Sequence, residues 1–81
     1  MYSQSFLYIM KKKNKIKIKL NGKDLIIAEK TTVKTLVDQL KLPLSKIAIE
    51  KNRKIVDKKK LKKIILNNKD RVEIVHFIGG G

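Results

Sequence analysis

Cysteine is absent from this chain of 81 residues, and histidine occurs only once. These absences exclude a disulfide framework and the common kinds of zinc site. A chain of this length is close to the smallest size at which one hydrophobic core can hold a fold, so we predict a single domain stabilised by packing. The lack of cysteine also fits a reducing compartment, and we expect a soluble intracellular protein of the cytoplasm or the plastid stroma.

Groups that act in catalysis are equally scarce. The chain has no cysteine nucleophile, and His76, its only histidine, lies on a predicted strand with no carboxylate partner close in sequence. We interpret His76 as an ordinary, partly exposed strand residue without a role in proton transfer. The sequence therefore predicts a protein that is not an enzyme by itself and that holds no metal and no cofactor.

The sequence shows neither a secretory signal nor a membrane span. Its apolar cluster, Phe6 to Met10, precedes the lysines of Lys11 to Lys13, whereas a secretory signal places its charge before a longer apolar run. A membrane-spanning helix needs roughly 20 apolar residues, and no such stretch occurs. Met10 would be a natural start for a domain whose first strand begins near Ile16, so we expect residues 1–9 to be a dispensable extension or a start assigned too early, with a short ordered lead-in as the alternative.

Acidic residues number 7 against 21 lysines and arginines, which gives a formal charge of +14. Such a charge attracts anionic surfaces, and it keeps RNA binding open as an alternative function. The excess is almost all lysine and accompanies many isoleucines and asparagines, as expected when a genome drifts toward A and T, and we favour that interpretation. Three of the four aromatic residues lie before position 10, so no stacking platform is interleaved with the lysines.

Alternating apolar residues predict most of a sheet. Ile16, Ile18 and Leu20 alternate with lysines, and the strong hairpin signal Asn21-Gly22 follows, so Lys23 to Ala28 should return antiparallel. Further strands are predicted around Ile47 and Ile49, at Lys54 to Val56 after the turn Asn52-Arg53, and at Arg71 to Phe77 after a turn over residues 67–70.

One amphipathic helix is predicted between the second and third strands. Its apolar positions share helical spacing: Val33, Leu36, Val37 and Leu40. Thr31 or Thr32 can cap its start, and Pro43 cannot continue it, so it should end at about Lys41. Lys58 to Lys63 reads as a short helix or turn with solvated lysines, and Leu61, Ile64 and Ile65 share one face of it.

The predicted order places one main helix across one face of a mixed sheet of four to five strands, which is the α+β class and the order of the β-grasp fold. Three glycines, Gly79, Gly80 and Gly81, then end the sequence. Without a Cβ, such a tail can thread a narrow channel, although an ordinary frayed terminus is the alternative. We therefore divide the chain into an extension (1–9), a β-grasp domain (10–78) and a flexible tail (79–81).

Several local motifs strengthen this interpretation: Leu20-Asn21-Gly22-Lys23, Thr32-Val33 at the helix entry, Ile47-Ala48-Ile49-Glu50, Asp70-Arg71-Val72-Glu73-Ile74, and the terminal pair Gly80-Gly81. Together they resemble the ThiS family, the ubiquitin-like β-grasp sulfur carriers of thiamine thiazole biosynthesis. The resemblance covers about Met10 to Gly81, and the terminal glycine pair is its most specific element. Family members commonly carry another small residue before that pair, and here Gly79 fills the place.

The resemblance implies a chemistry for Gly81. A ThiF-like adenylating enzyme would use ATP and magnesium to convert the Gly81 carboxylate into an acyl-adenylate. Sulfur from a persulfide donor would replace the adenylate and leave a thiocarboxylate. A ThiG-like thiazole synthase would then take this sulfur and regenerate the carboxylate.

The resemblance also implies a partner-binding face, because such carriers resemble ubiquitin in offering a sheet face near the last strand. Val75, Phe77 and Ile78 are the candidate contact residues. Burial in the sheet core is the alternative, but strand alternation should turn Val72 and Ile74 inward and leave Val75 and Phe77 on the opposite face.

Three other functions stay open at this point. The small subunit of molybdopterin synthase is a β-grasp carrier with the same terminal chemistry and a different acceptor, and we favour thiazole synthesis because the stretch between Ile49 and Asp70 is compact. A ubiquitin-like protein modifier would pass its activated glycine to lysine amines. A basic β-grasp domain could instead bind RNA.

Overall fold

The computed structural model describes residues 14–77. Its elements are β1 (Lys15–Leu20), β2 (Lys23–Ala28), α1 (Val33–Gln39), a first 3₁₀ helix (Leu44–Lys46), β3 (Ile47–Lys51), β4 (Lys54–Ile55), a second 3₁₀ helix (Lys58–Lys63) and β5 (Arg71–His76). The predicted elements are therefore present in the predicted order. The predictions for residues 1–9, for Ile78 and for the three terminal glycines lie outside the described residues.

The five strands form one mixed sheet in the order β2-β1-β5-β3-β4. Strands β1 and β5 are parallel, and the other neighbouring pairs are antiparallel. The last strand is thus the central one, with a paired neighbour on each side. Within residues 14–77, no helix is long and apolar enough to cross a membrane.

The turn between β1 and β2 has the backbone that its sequence predicts. Asn21 and Gly22 have φ values of 50° and 83°, the left-handed pair typical of a tight hairpin whose twist matches the flanking strands. A Cβ added to Gly22 would meet nothing within 4 Å, so the backbone angle, and not crowding, favours glycine there.

Helix α1 begins as predicted and ends slightly earlier than predicted. The Thr32 hydroxyl accepts a hydrogen bond from the Thr35 backbone N–H at 3.1 Å, which identifies Thr32 as the cap. The helix ends at Gln39, and Lys41 then adopts a φ of 56°. A left-handed residue just after the last turn terminates a helix, so the predicted end near Lys41 is about two residues too late.

The core lies between α1 and the face of the sheet that α1 covers. The buried apolar side chains are Ile18, Ile27, Val33, Leu36, Val37, Ile47, Ile49, Val56, Leu61, Leu66 and Val72. Removing this apolar surface from water is the main term that stabilises a domain without disulfides.

The lysine-rich segment, predicted as a short helix or a turn, is a short 3₁₀ helix. Leu61, within this helix, is buried in the core, and Ile64, which follows it, is half-buried against the core. The predicted placement of Ile65 on the same helical face is wrong, because the helix ends at Lys63 and Ile65 is 49% exposed. Ile65 instead forms an isolated bridge with Thr32, next to the start of α1.

Candidate functional site

Strand β5 carries Val75, and the sequence continues from it through Phe77 and Ile78 to the terminal glycines. Arg71 and Val72 of β5 pair with Lys19 and Leu20 of β1. On its other side, β5 pairs with β3 over the whole of Ile47–Lys51. Pairing continues to the last described residue, since the Phe77 N–H donates to the Lys46 carbonyl at 2.9 Å. The site is therefore built on a strand that is paired on both sides.

Asn21 extends the pairing between β1 and β5. Its backbone N–H donates to the Val72 carbonyl at 2.9 Å. Its side chain then accepts from the Ile74 N–H at 2.8 Å and donates to the Ile74 carbonyl at 3.3 Å. The side-chain amide thus imitates a strand residue where β1 has already turned away, a role that the hairpin motif alone did not reveal.

Asn52 also extends the pairing of β5, from the side of β3. Its N–H donates to the Arg71 carbonyl at 2.7 Å, and its Oδ1 accepts from the Arg71 N–H at 2.8 Å. Its Nδ2 donates to Oδ1 of Asp70 at 3.0 Å. Asp70 is only 8% exposed, and it also accepts from the Asn67 N–H at 2.8 Å and pairs with Lys51 at 3.7 Å.

We predict that Asn52→Gly destabilises the domain. Glycine tolerates the φ of 52° at this turn position, so the substitution removes the side-chain hydrogen bonds without straining the backbone. The loss leaves the buried Asp70 carboxylate with fewer donors, and we expect unfolding to be easier by about 2 kcal/mol. Urea unfolding followed by circular dichroism measures this change, and an unaltered midpoint would contradict the bracing role of Asn52.

The same substitution one position later should have the opposite effect. Arg53 has a φ of 70°, a left-handed conformation that a residue with a Cβ adopts at a cost. Even after the greater unfolded-state entropy of glycine is subtracted, Arg53→Gly should stabilise the domain by roughly 0.5–1 kcal/mol. The urea midpoint should rise, and a fall would show that the Arg53 side chain makes contacts that outweigh this strain.

The two faces of β5 have the orientations that alternation predicts. Val72 is fully buried and Ile74 is half-buried on the inner side, whereas Val75 is 57% exposed and Phe77 is 39% exposed. The prediction that Val75 and Phe77 lie opposite the core is therefore confirmed. Their contact with a partner stays a prediction, as does that of Ile78.

Val75 and Phe77 have an apolar neighbour on the outer face. Ala48 of β3 lies directly opposite Val75 in the antiparallel register, and we call these three residues the apolar patch. The Nζ of Lys58 lies 5.7 Å from the centre of the Phe77 ring and donates to the Leu44 carbonyl at 2.7 Å. A cation held over the ring in this way restricts Phe77 immediately before the terminal segment.

The ThiS family model matches residues 10–81 of this chain. The chain belongs to the ThiS family. It is 35% identical over 65 residues to the sulfur carrier protein ThiS of Bacillus subtilis, which covers 79% of this chain and 98% of that protein. It is also 36% identical over 66 residues to a thiazole synthase of Paramagnetospirillum magneticum, which covers 82% of this chain but only 20% of that protein.

A solved structure of the same family has the same fold. The crystal structure of the thiamine biosynthesis protein ThiS from Geobacter metallireducens superposes with a TM-score of 0.72 at 26% identity, covering 82% of this chain and all of that one. The predicted ubiquitin-like β-grasp fold is thereby confirmed. In this ThiS-family domain the central strand β5 is the one that leads to Gly81.

Two carboxylates lie beside the apolar patch of this ThiS-family domain. Glu50 of β3 and Glu73 of β5 are directly opposite each other on the outer face. Within residues 14–77, neither is paired with a lysine or arginine within 4.0 Å. Like charges in this position are unfavourable in the free protein, so a cationic group on a partner would relieve them.

His76 shows no arrangement that suggests chemistry. It is exposed and lies opposite Ile47 in the register of β3 and β5. Among the described residues, no group of three or more histidine and acidic side chains is placed to hold a metal ion.

Proposed function

We propose that this chain is a sulfur carrier of thiamine thiazole synthesis, with the Gly81 carboxyl as the attachment point. The observation that carries the proposal is the pair of similarities: to a sulfur carrier protein over nearly its whole length, and to one fifth of a thiazole synthase. A domain like this one and a thiazole synthase therefore occur within one polypeptide elsewhere, which supports a thiazole synthase as the sulfur acceptor.

The proposed cycle is balanced in atoms and charge. A carboxylate oxygen of Gly81 displaces pyrophosphate from ATP in the active site of a ThiF-like enzyme and forms an acyl-adenylate. The terminal sulfur of a persulfide then attacks the acyl carbon and AMP leaves, which gives an acyl disulfide. A thiol reductant attacks the donor sulfur of that disulfide, forms a new disulfide with it, and releases the thiocarboxylate. The thiocarboxylate sulfur then bonds to an electrophilic carbon of the substrate held by the thiazole synthase. Water cleaves the acyl C–S bond, which leaves the sulfur on the substrate and restores the Gly81 carboxylate.

In this cycle the domain supplies recognition and the partner enzymes supply catalysis. The apolar patch of Ala48, Val75 and Phe77 is accessible on the outer face, so it can be buried against a partner without unfolding the core. The firm pairing of β5 fixes where the terminal segment starts, and this matters because a reacting group must be positioned closely. A carrier that visits several enzymes also benefits from a modest contact area, since it must dissociate from each of them.

Intact-mass measurement tests the proposal. The protein is incubated with a ThiF-like adenylating enzyme, ATP, magnesium and a persulfide donor, and we expect a gain equal to the replacement of one oxygen by sulfur. Adding a thiazole synthase with its substrates should reverse the gain, whereas the large subunit of molybdopterin synthase should not. Reversal only by the molybdopterin enzyme would instead assign the chain to that pathway. No gain, with the enzyme active on another carrier, would reject the carrier function.

A further inference from the structure

Cations are concentrated on one part of the outer sheet face. Alternation along β1 turns Lys17 and Lys19 outward, and Lys19 lies directly opposite Arg71 of β5. Lys69, in the turn before β5, joins them around one cleft of about 400 Å³. We call Lys17, Lys19, Lys69 and Arg71 the cationic zone.

One carboxylate partly balances this zone. Asp24 accepts a hydrogen bond from Lys19 at 2.7 Å and lies 3.9 Å from Lys17. The hydrogen bond and charge of Lys19, with a smaller contribution from Lys17, lower the pKa of Asp24, so it stays ionised at neutral pH. Within residues 14–77, Lys69 and Arg71 have no carboxylate within 4.0 Å.

The backbone beneath the zone is held in place. The Lys69 N–H donates to the Lys17 carbonyl at 2.7 Å, and the Lys17 N–H donates to the Asn68 side chain at 2.9 Å. Lys69 itself adopts a φ of 71°, which costs a residue with a Cβ some conformational energy. The cations are therefore presented from a fixed surface, and neighbouring like charges disfavour this arrangement unless an anionic surface faces it.

The zone lies on the same sheet face as the proposed partner-binding residues, with Glu73 between Arg71 and Val75 along β5. Arg71 and Val75 lie on the same side of β5 and are four residues apart, which is about 13 Å along a strand. A single protein surface can cover both, because a standard interface buries about 800 Å² on each partner. From these contacts we propose that the cationic zone binds a carboxylate-rich surface of the enzyme that activates Gly81 and steers the carrier onto it.

This inference rests on the proposed function, and the same face argues against RNA as the occupant. Glu50 and Glu73 lie beside the zone and would repel a phosphate chain laid across the sheet, whereas a protein surface can present both signs of charge. Phe77, the aromatic residue among residues 14–77, is six residues from Arg71, about 20 Å along the strand, and so offers no base-stacking position within the zone.

Association kinetics test the inference with two variants that remove the same charge. Lys17→Gln/Arg71→Gln changes the zone, and Lys59→Gln/Lys62→Gln changes exposed lysines of the second 3₁₀ helix, which packs against the helix side of the sheet. Binding to the ThiF-like enzyme of the same organism is followed by interferometry at several salt concentrations. We expect the zone variant to associate about 10-fold more slowly at low salt, and the control to stay within about 2-fold of the wild type.

The difference between the variants should disappear at about 0.5 M salt, where charges are screened over a few ångströms. Equal slowing of both variants would overturn the inference in favour of net charge alone, and unchanged rates in both would overturn it outright. Loss of RNA binding in the zone variant, with an unchanged rate toward the enzyme, would assign the zone to nucleic acid. The sulfur gain of the wild-type protein is read separately, so a failure of the carrier function is recognised independently.

Discussion

Deleting Gly81 should abolish the gain of sulfur in the intact-mass assay. The deletion moves the terminal carboxylate back by one residue, which is about 3.5 Å of extended chain. A misplacement of about 1 Å can already cost 100-fold in rate when a reacting group must be aligned, so a shift of several ångströms should leave no measurable product. The deleted chain still ends in glycine, so a loss of activity would report the position of the carboxylate and not the residue type.

The stability of the deleted protein separates this effect from unfolding. Gly81 follows the described core, whose buried residues lie between Ile18 and Val72. We therefore expect the urea midpoint to match that of the wild type. Lys62→Gln is a suitable control for the assay, because Lys62 is exposed on the second 3₁₀ helix. Full sulfur gain in the deleted chain would reject Gly81 as the attachment point.

Local patterns predicted the elements of this fold because each element depends on neighbours in sequence. The alternation of β1 and the Asn21-Gly22 turn need only a few consecutive residues, and both are found as predicted. The side-chain hydrogen bonds from Asn21 and Asn52 to the backbone of β5 could not be predicted in this way. Asn21 bonds to Ile74, 53 residues later, and Asn52 bonds to Arg71, 19 residues later, so neither bond exists until the sheet is assembled.

The same distinction applies to the outer face. Alternation placed Val75 and Phe77 on it, but the pairing of Glu50 with Glu73 and the approach of Lys69 to β1 depend on the register between distant segments. Composition is also a poor guide to which lysines act in binding, because lysine and arginine occur even at positions where a left-handed backbone disfavours any residue with a Cβ. Among residues 14–77, four of the six non-glycine residues with positive φ are lysine or arginine: Lys30, Lys41, Arg53 and Lys69. The position of a charged residue on the sheet is therefore a better guide to partner binding than the total number of charges.

Replacing the apolar patch should weaken partner binding more than any other change on the sheet face. Val75 and Phe77 are partly exposed in the free domain, so docking has apolar surface left to bury. Half of the burial of such a side chain is worth about 1 kcal/mol or slightly more, and about 1.4 kcal/mol corresponds to a factor of ten in affinity. We expect the Kd of the complex with the ThiF-like enzyme to rise about 10-fold for Val75→Ser and about 100-fold for Val75→Ser/Phe77→Ser.

Ile65→Ser provides the control for this prediction. Ile65 is 49% exposed, against 57% for Val75, and it lies beside the start of α1, outside both the apolar patch and the cationic zone. Measured at about 0.3 M salt, where long-range steering is screened, its Kd should change less than about 2-fold. If Ile65→Ser weakened binding as much as Val75→Ser, the partner would recognise exposed apolar surface in general, and the apolar patch would have no special role in presenting Gly81.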